Sequence, residues 1–142
     1  MVMHVAFYRG RGDIIDKIIR LWTRGKYSHC ELVFELVTDG PSLCISSSAR
    51  DGGVRSKRIM LDDDWDVIPV AADNAPAWAW AANHANEGYD FLGVIGLALN
   101  KGMQDQNKWF CSEAVAAMLG YKKPWAFNPS ALYYFILNGE KK

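Results

Sequence analysis

The cysteine at position 111 is the residue of this sequence best placed for covalent chemistry. It lies in "WFCSEAVAAM" (Trp109 to Met118), where two aromatic residues precede a run of good helix formers. If a helix begins at Trp109 or Phe110, Cys111 lies in its first turn, where unpaired backbone N–H groups and the helix dipole favour a thiolate. Two interpretations are open, a nucleophile and a packing residue, and packing is the commoner role of a cysteine in an alanine-rich helix.

A thiolate nucleophile needs a base or an ion-pair partner, and the chain has three histidines. His4 lies in a strand-like segment and His84 in a helical one, where packing or surface positions suit both. His29 differs because it opens a strand-like run and can reach a neighbouring helix end. Glu31 follows by two residues and projects from the same face of a strand, where its carboxylate can orient the imidazole. We therefore predict Cys111 as nucleophile, His29 as base and Glu31 as orienting group.

Further groups near the predicted nucleophile have candidate roles. The backbone N–H groups of Cys111 and Ser112 can stabilise an oxyanion. Glu113 lies about 200° around the helix from Cys111, so we expect it to complement the helix dipole and to point away from the reacting atoms. Tyr27 and Trp109 either shape a substrate cleft or pack in the core.

Strand-like segments dominate the first half of the chain and must position His29. "MHVAFYR" is strand-like, and "IIDKIIRLWTR" has helical apolar spacing behind Asp13 as N-cap, with Gly25 as its stop. A hairpin is predicted from Tyr27 to Val37 and from Ser42 to Ser48. The strand-like segments "VRSKRIML" and "WDVIPV" follow.

Helical patterns dominate the second half and must position Cys111. "AWAWAANHAN", from Ala77, and "YDFLGVIGLALN" predict helices, and the Cys111 segment runs to Gly120. "NPSALYYFIL" begins with Asn128 as N-cap and Pro129 as first helical residue. These patterns predict an α+β fold, a small antiparallel sheet packed with helices, in one domain over residues 1–142.

The net charge and the cysteine content indicate which classes of partner and site the chain as a whole does not favour. Sixteen basic residues balance sixteen acidic ones, so no overall field favours nucleic acid or an anionic membrane. The basic run from Val54 to Arg58 is expected to be a solvated strand edge. Cys30 and Cys44 lie in apolar strand-like runs, as small buried residues do. A metal site built from His29 and the three cysteines matches no common zinc spacing, so we predict neither metal nor cofactor.

The cysteines, the N-terminal segment and the longest apolar run bear on the cellular location of the protein. An odd set of three cysteines without CxxC suits a reducing compartment, and the N-terminal segment lacks a signal-peptide pattern. The longest apolar run, Phe91 to Leu99, is about half the length of a membrane span, so we expect no stable membrane insertion. We expect a cytoplasmic protein, and phage origin is compatible with this pattern. The oligomeric state is left open.

Four short motifs together resemble a known superfamily. They are "YSHCELVF", "DGGV", "YDFLG" and "WFCSE", and the resemblance spans roughly Tyr27 to Pro129. The chain resembles the circularly permuted NlpC-type papain-like fold, which includes bacterial and phage proteins and has relatives similar to lecithin:retinol acyltransferase. In that fold the histidine precedes the cysteine, as His29 precedes Cys111 here.

The resemblance implies a thiol hydrolase or acyltransferase in which Cys111 attacks a carbonyl and His29 serves as base, then acid. Many members have a small residue where this chain has Glu31, and members usually place the third polar residue on the following strand, where this chain has Ser46. Ser46 is therefore the rival of Glu31 for the third role. The leading hypothesis is cleavage of an amide bond, with a bacterial cell-wall peptide as the family-typical substrate. Acyl transfer or thioester cleavage on a lipid-like substrate, and a non-catalytic binding or inhibitory module, are the alternatives.

Overall fold

The computed structural model describes residues 2–89 and 108–139, with Trp22 described by its backbone alone. Its elements in chain order are β1 (Val2–Tyr8), α1 (Ile14–Thr23), β2 (His29–Glu35), β3 (Ser42–Ser48), β4 (Gly53–Ile59), β5 (Trp65–Ala71), α2 (Asn74–His84), β6 (Gly88–Tyr89), β7 (Lys108–Trp109), α3 (Cys111–Met118), a 3₁₀ turn (Pro124–Ala126) and α4 (Pro129–Leu137).

Five of the strands form one antiparallel sheet in the order β4-β3-β2-β1-β5. The central strand is β2, which pairs with β1 on one side and with β3 on the other. Pro69 lies on β5, an edge strand, which is where proline is tolerated in a sheet because it has no N–H to donate. The α+β class and the hairpin formed by β2 and β3 are confirmed.

The core lies on both faces of the sheet. The larger cluster joins the sheet to α3 and includes Phe7, Cys30, Leu32 and Val115. The smaller cluster, around Ala6, Val33 and Cys44, lies on the other face. Because neighbouring residues of a strand point to opposite faces, β2 contributes to both clusters and is buried on both sides. The strand that carries His29 and Glu31 is thereby held rigidly at the centre of the fold.

Helix α1 begins as the sequence predicts. The Asp13 carboxylate accepts hydrogen bonds from the N–H groups of Ile15 (2.9 Å) and Asp16 (3.2 Å). The Asp16 carboxylate in turn accepts the N–H of Asp13 at 2.9 Å. This reciprocal arrangement is a capping box, which satisfies N–H groups that would otherwise be unpaired at the start of the helix.

Helix α1 stops just before Gly25, as predicted, although Gly25 is not the left-handed residue at its end. The helix ends at Thr23, and Arg24 takes the left-handed conformation, with φ 50°. Gly25 matters for a different reason, because a Cβ there would lie 2.3 Å from Oγ of Ser130 at the start of α4. Glycine therefore permits a close approach between two segments far apart in the sequence.

The other described helices follow their predicted patterns with small shifts. Helix α2 begins at Asn74, three residues before Ala77, because Pro76 fits within a first helical turn. Helix α4 begins at Pro129, and Asn128 caps it by accepting the N–H of Ala131 at 2.8 Å. The helix predicted over residues 90–100 lies outside the described residues. None of the helices in the described ranges is long and apolar enough to cross a membrane.

Candidate active site

The candidate nucleophile is the first residue of α3. Phe110 precedes it as the N-cap, with an extended backbone, so the helix begins at Cys111. The start lies one or two residues later than the predicted Trp109 or Phe110, and Cys111 lies in the first turn as expected. Ser112 donates its hydroxyl to the carbonyl oxygen of Phe127 at 2.6 Å. The Glu113 carboxylate accepts the N–H of Phe110 at 3.4 Å. This places its negative charge at the start of the helix, as expected for a residue that complements the helix dipole.

His29 and Glu31 form a direct pair at the start of β2. Nε2 of His29 lies 2.6 Å from Oε1 of Glu31, and the two side chains are 19% and 0% exposed. Because Nε2 faces the carboxylate, Nδ1 is the ring nitrogen left to interact with Cys111. The structure therefore brings the three residues named from the sequence into one cluster.

The ionisation of Cys111 and His29 is coupled. Burial raises the pKa of the Cys111 thiol. Hydrogen bonding with Cys30 and the charge of His29 lower this pKa by more than burial raises it, so that it falls to about 6. Burial lowers the pKa of His29, but the charges of Cys111 and Glu31 raise it to about 10. Between these two values the pair is a thiolate beside an imidazolium, the reactive form of a cysteine nucleophile.

Arg55 is a member of the cluster that the sequence did not reveal. Its guanidinium donates to Oε2 of Glu31 at 2.8 Å and to Oε1 at 2.6 Å, and its Nε donates to Asp51 at 2.8 Å. Burial raises the pKa of the Glu31 carboxyl, but His29 and Arg55 together hold that pKa below its ordinary value. The carboxylate thus keeps its charge at a fully buried position.

The expectation that Val54 to Arg58 is a solvated edge is wrong for Arg55. Lys57 and Arg58 are exposed, whereas the Arg55 side chain is 15% exposed. The sequence indicated Arg55 only indirectly, because a buried glutamate needs a cation as its partner. The order of the strands decides which of several arginines supplies that cation.

Ser46, the rival for the third role, makes a different contact. Its hydroxyl is buried and donates to the carbonyl oxygen of Cys30 at 2.7 Å. Glu31 is thus the residue that contacts the imidazole of His29. Cys30 is buried as expected, but its thiol also contacts Cys111, a proximity that spacing in the sequence could not show.

The two remaining histidines lie apart from this cluster. His84 stacks on Trp80 with ring centroids 4.1 Å apart, and its Nδ1 lies 2.7 Å from the Trp80 carbonyl oxygen. His4 lies on β1 opposite Val33 and Pro69. Both therefore have the packing or surface positions expected of them.

A cavity of about 230 Å³ opens beside the cluster. His29 and Glu31 line it, together with Ile15, Ile19 and Trp65, whereas Cys111 is fully buried and does not line it. A substrate would therefore approach from the His29 side.

Tyr27 and Trp109 are packing residues, the second of their two predicted roles. Tyr27 is buried and donates its hydroxyl to Asp66. Burial, together with this hydrogen bond, raises the pKa of the Tyr27 hydroxyl. Trp109 donates its indole N–H to Glu87. Neither lines the cavity.

Within residues 2–89 and 108–139, no group of three or more His, Cys, Asp or Glu side chains is arranged to hold a metal ion. Comparison of the chain with models of protein families gave no match, and comparison with curated proteins gave none either. The chemistry of the site is therefore inferred from its own residues.

Proposed function

We propose that this chain is a cysteine hydrolase in which Cys111 is the nucleophile, His29 the acid and base, and Glu31 the group that orients His29. The observation that carries the proposal is the placement of one imidazole between a buried carboxylate and a cysteine at a helix start. This is the geometry of nucleophile, base and orienting acid that acyl-transfer enzymes use on unrelated folds.

The proposed reaction has two stages. The Cys111 thiolate attacks the carbonyl carbon of an amide, and the carbonyl oxygen becomes an oxyanion. His29 gives its proton to the leaving nitrogen, the C–N bond breaks, and an acyl thioester remains on Cys111. His29, now neutral, takes a proton from water, whose oxygen attacks the thioester and releases the carboxylic acid and the thiolate.

The start of α3 offers the donors that this reaction needs. The N–H groups of Cys111 and Ser112 belong to the first turn, where no carbonyl of the helix can accept them. They are the candidate oxyanion donors, and the helix dipole adds to their effect. In enzymes of this kind the loss of one such donor costs about 100-fold to 1,000-fold in kcat.

We infer a peptide amide, of the bacterial cell-wall type, as the substrate, on the resemblance of the motifs around His29 and Cys111 to the NlpC-type superfamily. Acyl transfer or thioester cleavage on a lipid-like substrate uses the same thiolate and is the enzymatic alternative. The apolar run at 91–99, a candidate wall for a lipid-like substrate, lies outside the described residues. A cytoplasmic or phage setting is part of the same proposal.

A non-catalytic binding module is the second candidate, and one observation favours it. The Cys111 side chain is fully buried and does not line the cavity, so a substrate reaches it only if the cover over the sulfur opens. In this alternative the cluster of His29, Glu31 and Arg55 is a buried charge network that stabilises the fold.

The test is a search for a covalent intermediate with matched variants. Wild type, Cys111→Ala and Cys44→Ala are incubated with cell-wall stem peptides and with acyl thioesters, and intact mass and product release are measured. Cys44 is the control because it is also a buried cysteine but packs with Ala6 and Val33, in a different cluster from Cys111. The hydrolase proposal expects an acyl adduct and turnover in wild type and Cys44→Ala, and neither in Cys111→Ala. Turnover by Cys111→Ala would end the proposal, and absence of any adduct would favour the binding module.

A further inference from the structure

Helix α1 leaves half of its apolar face in solvent. Successive residues of an α-helix are about 100° apart, so the apolar side chains of α1 cover an arc of roughly 160°. Ile15 and Ile19, on the inner part of this arc, pack against the core. The outer part is an apolar stripe of Ile14, Ile18 and Leu21, whose residues are 70%, 37% and 75% exposed.

Polar contacts fix the rotation of α1 and keep this apolar stripe outside. Asp16 is buried, and its carboxylate accepts the hydroxyl of Ser28 at 2.7 Å and also binds Arg50. Arg20 donates to the backbone carbonyls of residues 9, 10 and 11. Rotating the helix to bury the stripe would break these contacts and leave Asp16 without partners in the interior.

The charge around α1 is strongly positive. Residues 9–26 contain six basic and two acidic residues, a net charge of +4 in a chain whose total is zero. Arg50 binds both acidic side chains, Asp13 and Asp16. A basic flank of three exposed residues makes no ion pair within residues 2–89 and 108–139, and consists of Arg11, Lys17 and Arg24.

We propose that α1 docks peripherally on an anionic lipid membrane, with the apolar stripe among the lipid chains and the basic flank on the anionic headgroups. Exposed aliphatic side chains beside lysine and arginine on one helix are the pattern of interfacial helices. A second copy of the chain is a poorer occupant, because a two-fold contact would bring two segments of charge +4 together. The inner side of α1 lines the cavity beside His29, so docking would place that cavity near the membrane surface.

The test is flotation of the full chain with vesicles of phosphatidylcholine alone and of phosphatidylcholine mixed with phosphatidylglycerol. Wild type should bind the mixed vesicles and not the neutral ones, and added salt should weaken binding. The double variant Ile14→Ser, Leu21→Ser should lose at least about tenfold in partitioning. Leu36→Ser, which changes an exposed leucine outside α1, should not. Lys17→Glu should lose about fivefold or more, whereas Lys122→Glu should bind as wild type does.

The results of this test distinguish a lipid membrane from a second copy of the chain as the binding partner of α1. Absence of binding to mixed vesicles, or binding that the α1 double variant leaves unchanged, would overturn the proposal. A dimer in sedimentation that Ile14→Ser, Leu21→Ser dissociates would overturn it in favour of a second copy. Circular dichroism and denaturation show whether each variant is folded. We expect all of them to fold, because the substituted side chains are exposed. The Cys111→Ala variant should bind vesicles as wild type does, so the docking test is independent of the proposed hydrolase function.

Discussion

Replacing His29 with alanine should move the pKa of the Cys111 thiol from about 6 toward its ordinary value of 9.0. The substitution removes the positive charge that stabilises the thiolate, while the burial that raises the pKa stays in place. A return to the ordinary value would reduce the thiolate fraction at pH 7 from about 90% to about 1%.

The expected change in alkylation rate depends strongly on pH. A thiolate of higher pKa is intrinsically more nucleophilic, and a Brønsted slope of about 0.45 makes it about 20-fold more reactive for this shift. At pH 7 the roughly 90-fold loss of thiolate therefore yields only about a fourfold slower reaction. At pH 6 the loss of thiolate is about 500-fold, and the reaction should be about 20-fold slower. The midpoint of the pH profile is thus more informative than one rate.

The assay is a short pulse of limiting iodoacetamide from about pH 5 to about pH 9, read by intact mass and peptide mapping. Wild type should react first at Cys111, because burial raises the pKa of Cys30 and, to about 12, that of Cys44. His84→Ala is the matched control, since His84 lies on α2 away from the cluster. Thiolate absorbance in the ultraviolet, relative to Cys111→Ala, measures the same pKa without requiring reagent access.

One pattern of results would contradict the ion pair between Cys111 and His29. A Cys111 midpoint that is near 9 in wild type, or that His29→Ala leaves unchanged, means that the two residues form no ion pair. Thiolate absorbance near pH 6 without alkylation means that the pair exists but is covered, which favours the non-catalytic module. Alkylation that follows the absorbance supports the hydrolase.

Four substitutions and one pH series test the rest of the cluster. Glu31→Gln should raise the Cys111 midpoint and slow turnover, whereas Ser46→Ala should change neither; the opposite ranking would assign the third role to Ser46. Arg55→Met should lower the free energy of unfolding by about 3–5 kcal/mol in urea denaturation, because it leaves a buried carboxylate with one partner fewer. Arg58→Met removes an exposed ion pair with Glu35 and an exposed hydrogen bond to the carbonyl oxygen of Pro41, and should cost about 1 kcal/mol or less. Equal losses of stability in the Arg55 and Arg58 variants would contradict the burial of the Arg55 pair. The folded-state pKa of Glu31 lies below its ordinary 4.5, so its stabilising contribution is present above pH 4.5 and lost as pH falls through the folded value. The stability difference between wild type and Glu31→Gln should therefore narrow in acid, and a constant difference would mean that Glu31 is not ionised in the folded protein.

Local patterns in the sequence were sufficient for the elements and for part of the cluster. The period of two along β2 puts His29 and Glu31 on one face, and the capping residues Asp13 and Asn128 mark two helix starts, because each signal involves only residues close in sequence. The position of Cys111 at a helix start was readable in the same way. These predictions depend on backbone geometry, which is the same in every protein.

Which distant groups meet depends on how the elements pack in three dimensions. Arg55 reaches Glu31 because β4, β3 and β2 are neighbours in the sheet, and the period of two along β4 does not distinguish it from Lys57 on the same face. The contact of Cys30 with Cys111 and the burial of the Cys111 sulfur likewise depend on how α3 packs on β2. The exposed half of α1 has the same origin, because Asp16 and Arg20 fix the rotation of the helix through partners elsewhere in the chain. Charge pairs and packing depend on distances in space, which local sequence does not encode.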